Sequence, residues 1–280
     1  MKTFILISLL LTQSSYAQTI LKDIKYASTP QKELFLDLYM SEKLQNPPLL
    51  VWVHGGAWSA GSKENPPMEL LAYGFAMASI EYRLSGEAPF PAQIHDIKAA
   101  IRFLRGNAKK YGFDENKIIL WGSSAGGHLA ALAGVSDGNE ALEGNLGAYT
   151  KVSSKVRVIL DYFGASNLTT ILKQSTPYGL NMRTPALTKL YGKPVEEATE
   201  EAELASPVFY VDRTDPPMFI CHGDQDPQMP INQSIELFGK YKEAGLKVEI
   251  EFLQGAGHGG KQFSSPVLVM KVLKFLKDNL

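Results

Sequence analysis

Residues 117–135 read KIILWGSSAGGHLAALAGV. The run from Lys117 to Trp121 is short, apolar and uninterrupted after its lysine, the pattern of a strand buried on both faces. Ala125 to Val135 is a helix rich in small residues. Between them Gly122-Ser123-Ser124-Ala125-Gly126 fits G-x-S-x-G, placed directly after a strand and opening a helix. Such a turn holds its central residue, Ser124, in a strained backbone conformation, and the flanking glycines let neighbouring backbones pass closely. The helix N-terminus beneath Ser124 favours developing negative charge. In that context Ser124 is a candidate nucleophile.

The same alternation continues on either side. Leu34–Tyr39 reads as an early antiparallel strand. Buried strands are expected at Leu49–Val53, Ala76–Tyr82, Val156–Tyr162, Pro217–His222 and Val248–Leu253. A helix from about Ala92 to Lys110 carries Ile94, Ile97, Ile101, Leu104 and Ala108 at helical spacing, with Gly112 beyond its end. Further helices are expected near Asn232–Ala244 and Val267–Asn279. Strands and helices alternating at this pitch imply an α/β chain with a mostly parallel central sheet and helices on both faces. The stretch from about 167 to 205, with Pro177, Pro185 and Pro194, is too long for a plain connection and reads as a small lid-like insertion. No linker-like tract divides the chain, so residues 18–280 are expected to form one catalytic domain.

Composition narrows the function classes. With 45% hydrophobic and 20% charged residues, the 280-residue chain is globular, with ample apolar material for one core. Its 28 basic against 29 acidic residues give a net charge of -1, with no bias toward nucleic acid or anionic membranes. A single cysteine, Cys221, excludes an internal disulfide and a thiolate metal cluster. The first 17 residues pair Lys2 with an apolar run from Phe4 to Leu11 and end in Ser15-Tyr16-Ala17. That is the pattern of a signal peptide cut after Ala17, implying a secreted or periplasmic protein without a membrane anchor. Its removal would leave about 263 residues, with 27 basic against 29 acidic groups.

The remaining candidates lie in loops after strands. His54-Gly55-Gly56-Ala57-Trp58 follows Leu49–Val53. Its glycines allow backbone amides to turn toward an oxyanion, so donors are expected from Gly56 and Ala57, with Gly55 as a further donor and Ala125 following the nucleophile. His258, in Gly257-His258-Gly259-Gly260 after the last strand, is the candidate base. Asp226 is preferred to Asp224 as its orienting acid because it lies further around its loop toward His258, while Asp224 is expected to hold backbone N–H groups. His222 and His54 are expected to brace their loops, His128 to face the core, and His95 to be a surface or capping group. Arg83 and Asp96 read as a bracing ion pair. Trp58, Tyr82, Phe90 and Phe163 end or follow strands on the same side; of these Trp58 and Phe163 are the candidate pocket residues. No H-E-x-x-H pattern or clustered ligand spacing occurs, so neither metal nor cofactor is expected.

The segments HGGAW (54–58), EYRLSGEAPFPAQIHDIKAAIRFLR (81–105), WGSSAGGHLAAL (121–132), DYFGASNL (161–168) and HGDQDPQMP (222–230) together resemble the α/β-hydrolase esterases of the hormone-sensitive-lipase-like branch. Most similar are the secreted bacterial bifunctional feruloyl and acetylxylan esterases. The resemblance spans about Tyr26 to the C-terminus and is densest from Val51 to Leu132. It implies an α/β-hydrolase fold, a Ser124–Asp226–His258 triad in the chain order of that fold, and hydrolysis of acetyl or feruloyl esters on xylan-type saccharides. HGGAW is shared with arylformamidase-like and general carboxylesterase relatives and does not fix the substrate. Asn167 stands where such esterases have Asp, and Met229 where Val is common. A small-molecule carboxylesterase or an arylformamidase-type amidase is the alternative. A non-catalytic binding protein on the same fold is the third reading, disfavoured because every catalytic part is present.

Overall fold

The computed structural model describes residues 18–280; the expected signal peptide lies outside them. Eight strands, β1 (Gln18–Ser28), β2 (Glu33–Ser41), β3 (Leu49–Val53), β4 (Ala76–Ile80), β5 (Ile118–Ser123), β6 (Val158–Tyr162), β7 (Met218–Gly223) and β8 (Val248–Leu253), form one sheet in the order β1-β2-β4-β3-β5-β6-β7-β8. The pairs β1–β2 and β2–β4 are antiparallel and all others parallel. The five longest helices are α1 (Ala92–Gly106), α2 (Ala125–Val135), α3 (Pro177–Tyr191), α4 (Ile231–Glu243) and α5 (Pro266–Lys277). This is the α/β-hydrolase architecture, with the sheet order reversing direction around β3 and β4 so that β3 and β5 lie side by side at its centre.

Alternation along the buried strands divides the core in two. Leu49, Val51 and Val53 of β3, with Ile118 and Leu120 of β5, pack with α1, α2 and α4. Leu50 and Trp52, with Ile119 and Trp121, face α5 and the turn Glu69–Tyr73 on the other side. Consecutive side chains of a strand point to opposite faces, so a strand covered on both sides reads as continuous apolar sequence.

One expected bound is corrected, and two further elements appear. β1 extends the antiparallel edge beyond β2. The helix expected over 92–110 ends at Gly106, where Asn107 leaves helical geometry and its side-chain amide donates to the Phe103 carbonyl (2.8 Å); a separate turn follows at Ala108–Tyr111. The region 167–205, expected as a small lid-like insertion, carries a helix of its own. It contains α3, started by Thr176, whose hydroxyl accepts from the Gly179 amide (3.0 Å), and stopped by left-handed Gly192. Among the described residues no helix is long and apolar enough to cross a membrane.

Candidate active site

The turn between β5 and α2 fixes Ser124 at φ 55°, ψ -120°, a conformation sparsely populated by non-glycine residues. The flanking glycines are required by contact rather than by their own torsions. A Cβ on Gly126 would lie 2.0 Å from the Val53 carbonyl oxygen, and one on Gly122 would lie 2.1 Å from the Gly126 carbonyl oxygen. Helix α2 is thus drawn tightly against β3 and β5, which lifts Ser124 above the carboxyl edge of the sheet. The Ser124 amide donates to the Tyr162 carbonyl at 2.8 Å, tying the turn to β6.

At that edge the structure brings together residues distant in sequence. Ser124 Oγ lies 2.8 Å from His258 Nε2, and His258 Nδ1 lies 2.6 Å from Asp226 Oδ2. A carboxylate only accepts, so His258 carries its proton on Nδ1 and presents the Nε2 lone pair to the Ser124 hydroxyl. Asp226 Oδ1 accepts from the Gln228 and Met229 amides (2.8 and 2.9 Å). Burial would raise the Asp226 carboxyl, but hydrogen bonds from His222 and His258, the His258 charge and the Met229 amide outweigh it and hold it well below the ordinary carboxylate range. His222 is buried beneath this loop, receiving the Ser234 hydroxyl at Nδ1 (2.7 Å) and donating from Nε2 to the Met229 carbonyl (3.1 Å), with Asp226 Oδ2 at 3.4 Å. Asp224 accepts the Gly255 amide (2.7 Å), binding its loop to the one that carries His258.

The loop after β3 supplies donors. Among the described residues the amides of Gly55, Gly56, Ala57 and Ala125 have no hydrogen-bond partner. Ala57 and Ala125 line the cleft over Ser124, whereas Gly55 and Gly56 stand outside its lining. Ala57 and Trp58 take positive φ (51° and 57°), so the loop is held in shape by its surroundings. His54 donates from Nδ1 to the Gly55 carbonyl (2.7 Å) and stacks on Tyr82, whose hydroxyl donates to the His54 carbonyl (3.0 Å).

The other brace was not visible in the sequence. The Trp58 indole N–H donates to His128 Nδ1 (3.0 Å), and His128 Nε2 donates to the Ala205 carbonyl (2.7 Å), linking the donor loop through α2 to the end of the insertion. Burial pushes the His128 imidazole down to about 4 from its ordinary 6.5. On acidification the unfolded chain takes up this proton first. The resulting stability, about 3 kcal/mol, is full above pH 6.5 and lost as pH falls to about 4. Urea unfolding of the wild type and His128→Gln between pH 7.5 and 4.5 is expected to show a shallower decline in the variant; equal slopes would contradict this assignment.

The cleft over Ser124 is small, about 60 Å³. Trp58, Ala186, Met182 and Met229 give it apolar walls, with Gln228 and Arg183 as polar ones. Met182, Arg183 and Ala186 come from α3, so the insertion forms one wall. Arg183 is buried and, among the described residues, has no carboxylate partner, donating from Nε to the Ser175 hydroxyl (3.2 Å) with Met229 Sδ 3.7 Å from Nη1; burial lowers its guanidinium to about 10. Of the sequence candidates, Trp58 lines this cleft and Phe163 does not. Phe163 (φ 44°) packs edge-on against His258, ring centroids 4.7 Å apart. Tyr82 and Phe90 are in the core.

Other assignments resolve simply. Asp96 is fully buried and receives Arg83 through Nε, Nη2 and the backbone amide, with the shortest contact 2.6 Å. His95, expected as a surface or capping group, contacts the Ala141 carbonyl through Nε2 (2.9 Å), tying α1 to the turn at 140–143. Asn167 donates its amide N–H to Glu236 (2.6 Å), a contact in which an aspartate would oppose a like charge. Cys221 is buried in β7, and burial pushes its thiol far up, which leaves it unreactive.

Comparison with known proteins shows the family. The BD-FAE family pattern matches residues 36–241. A truncated carbohydrate esterase from gut microbiota superimposes with a TM-score of 0.83 at 32% identity, covering 95% of this chain and 98% of that one. A bifunctional GH43-CE protein of Bacteroides eggerthii gives a TM-score of 0.81 at 33% identity, over 93% of this chain and 35% of that one. Esterase LipQ of Mycobacterium tuberculosis is 32% identical over 237 residues, 82% of this chain and 54% of LipQ. The chain spans about half the length of the curated relatives it matches. With the fold, the strand–turn–helix and the matched segment in agreement, this chain belongs to the BD-FAE family of α/β hydrolases, to which carboxylic-ester hydrolases are its relatives.

Proposed function

We propose that this protein is a serine esterase that removes small acyl groups, acetyl foremost, from neutral xylan-type saccharides through an acyl-enzyme on Ser124. The observation that carries the reading is the continuous hydrogen-bonded relay Ser124–His258–Asp226 beside unpaired amides in a 60 Å³ cleft. In this mechanism Ser124 Oγ attacks the ester carbonyl carbon while its proton passes to His258 Nε2. The carbonyl π pair moves onto oxygen, where the Ala57 and Ala125 amides stabilise it. Collapse breaks the bond to the alkoxy group, which leaves with the proton from His258. Water then repeats the sequence: His258 takes its proton, hydroxide adds to the acyl carbon, and Ser124 recovers its proton as the carboxylic acid leaves. Asp226, kept anionic, holds the imidazole in the required tautomer and stabilises the imidazolium.

The cleft volume bears on the acyl group. At roughly 10–15 Å³ for each water-sized position, it accommodates a short aliphatic chain and not an aromatic ring on a three-carbon arm. A series of p-nitrophenyl esters from acetyl to octanoyl is expected to show kcat/KM falling at least about tenfold past butyryl, one factor of ten being about 1.4 kcal/mol. Methyl ferulate is expected to be a poor substrate. Preference for ferulate over acetate would overturn the acetyl assignment, and absence of acetate release from acetylated xylan would overturn the saccharide assignment. The saccharide class is supported by the names of two structural neighbours, a carbohydrate esterase and a bifunctional GH43-CE protein. Residues 1–17 fit an export signal, so N-terminal sequencing of the exported protein is expected to begin at Gln18 and not at Met1.

A further inference from the structure

Arg183, in the middle of α3, forms part of the wall of the cleft over Ser124 with Met182 and Ala186. It is 6% exposed. Its Nε donates to the Ser175 hydroxyl (3.2 Å), which is itself anchored on the Ile171 carbonyl (2.7 Å). Nη1 faces the Met229 sulfur, a weak acceptor, at 3.7 Å. Among the described residues Nη2 has no hydrogen-bond partner. Unlike Arg102 Nε, an unpartnered nitrogen sealed from solvent, Nη2 keeps accessible surface. The opening that Arg183 lines is the cleft it shares with Ser124, His258, Ala57 and Ala125. The guanidinium is thus fixed at one end and offers N–H groups to the cleft at the other.

Its charge sets it apart. Among the described residues the buried lysines and arginines are Lys63, Lys98, Arg102 and Arg183. Lys63 has Asp37 at 2.8 Å, and Lys98 and Arg102 share Glu143 at 2.5 and 3.1 Å. Arg183 has no such carboxylate, and it is the one of the four that faces the catalytic cleft. Asp226 acts on it through space, but the oxygens of Asp226 are taken by the Gln228 and Met229 amides and by His258. Burial lowers the guanidinium to about 10, which leaves it cationic near neutral pH. A buried cation without a counter-ion is strongly unfavourable, and a ligand that brings the anion relieves that. A hydroxyl or carbonyl oxygen satisfies the free N–H but not the charge, an alkyl chain satisfies neither, and a cation is repelled. A carboxylate satisfies both, in the planar geometry that a guanidinium favours. The cleft of about 60 Å³ confines that carboxylate to a few bonds from the scissile ester.

We propose that Arg183 is a specificity-determining residue whose counter-ion is a carboxylate carried by the ester substrate beside the scissile bond. The carboxylate stands either on the acyl side, as in a half-ester of a short dicarboxylic acid, or on the alcohol side, as in an acetylated uronate. This adds an anionic substrate class to the neutral one above and rests on that reading only for cleavage by Ser124; the carboxylate takes no part in bond making. Two pairs of esters separate the sources: monoethyl succinate against ethyl butyrate, and acetylated methyl glucuronoside against acetylated methyl glucoside. In at least one pair the anionic member is expected to have the higher kcat/KM, by about tenfold or more. Arg183→Gln is expected to abolish that ratio and Arg183→Lys to restore part of it. A merely structural role would lower both members alike and leave the ratio standing. Ratios near one in the wild type, or a ratio that survives Arg183→Gln, would overturn the proposal. Binding separates this from failure of the esterase reading. Thermal unfolding of the full chain is followed with succinate or glucuronate at fixed ionic strength. A saturable rise in Tm from at least one of them, absent in Arg183→Gln, supports the counter-ion site even where no ester is turned over. No rise from either, or an equal rise in Arg183→Gln, overturns it even where acetyl esters are hydrolysed.

Discussion

Ser124→Ala is expected to lower kcat on p-nitrophenyl acetate by about 10⁴- to 10⁶-fold while leaving the fold intact. The size of the effect follows from the geometry. Ser124 Oγ lies 2.8 Å from His258 Nε2, and among the described residues its only side-chain hydrogen bond is to that ring. Its strained φ of 55° is imposed by the contacts of Gly122 and Gly126, not by the hydroxyl, so alanine occupies the same turn. Circular dichroism and the urea midpoint should match the wild type. The other serine of the motif, Ser123, sits one residue earlier at the end of β5, and among the described residues it is Ser124 that bonds His258, so Ser123 is not expected to substitute. Residual activity is expected to reflect the amides of Ala57 and Ala125, which remain.

The second large effect is expected from Asp226→Asn, about 10³- to 10⁴-fold in kcat. The Oδ1 position accepts two backbone amides, so the asparagine carbonyl oxygen takes that place and its NH₂ faces His258 Nδ1. That arrangement favours the imidazole tautomer with its proton on Nε2, which cannot accept a proton from Ser124. The same substitution removes a pH dependence of stability. The carboxyl of Asp226 is depressed in the folded protein, so the stability it contributes is present above the ordinary value near 3.9 and is lost as pH falls toward the folded value. The acid decline of stability below about pH 4 should therefore be shallower in Asp226→Asn, measured by urea unfolding. Wild-type kcat in this variant would contradict the assignment of the acid.

What could be read from sequence was set by how local each feature is. The β5–Ser124–α2 unit is contiguous, and its strand period, glycines and helix follow one another within 19 residues, so the chain displays it openly. The same holds for the donor loop after β3 and for His258 after β8. β1 was missed because its alternation is broken. Its pairing with β2 shifts register between Leu21 and Ile24, with Asp23 at φ 55°, so Ile20, Ile24 and Tyr26 do not present an uninterrupted period of two. Helix α3 was hidden by Pro185 in its interior and a glycine in its first turn, which blur the apolar spacing. The Trp58–His128 bond joins residues 70 apart, and a chain of ring contacts from Trp52 through Trp121, Tyr162, Phe263 and Phe163 to His258 draws on five separate segments. Neither pairing leaves a trace in spacing, because what brings the partners together is the sheet order.

During turnover the acyl group is expected to rest on Ser124. Acid quenching of the enzyme during steady-state hydrolysis of p-nitrophenyl acetate, followed by peptide mass mapping, tests it directly. The expected result is one acetyl group on the peptide containing Ser124, absent from Ser124→Ala. Full turnover with no acyl group on that peptide, or with the group on another residue that Ser124→Ala still carries, would contradict it.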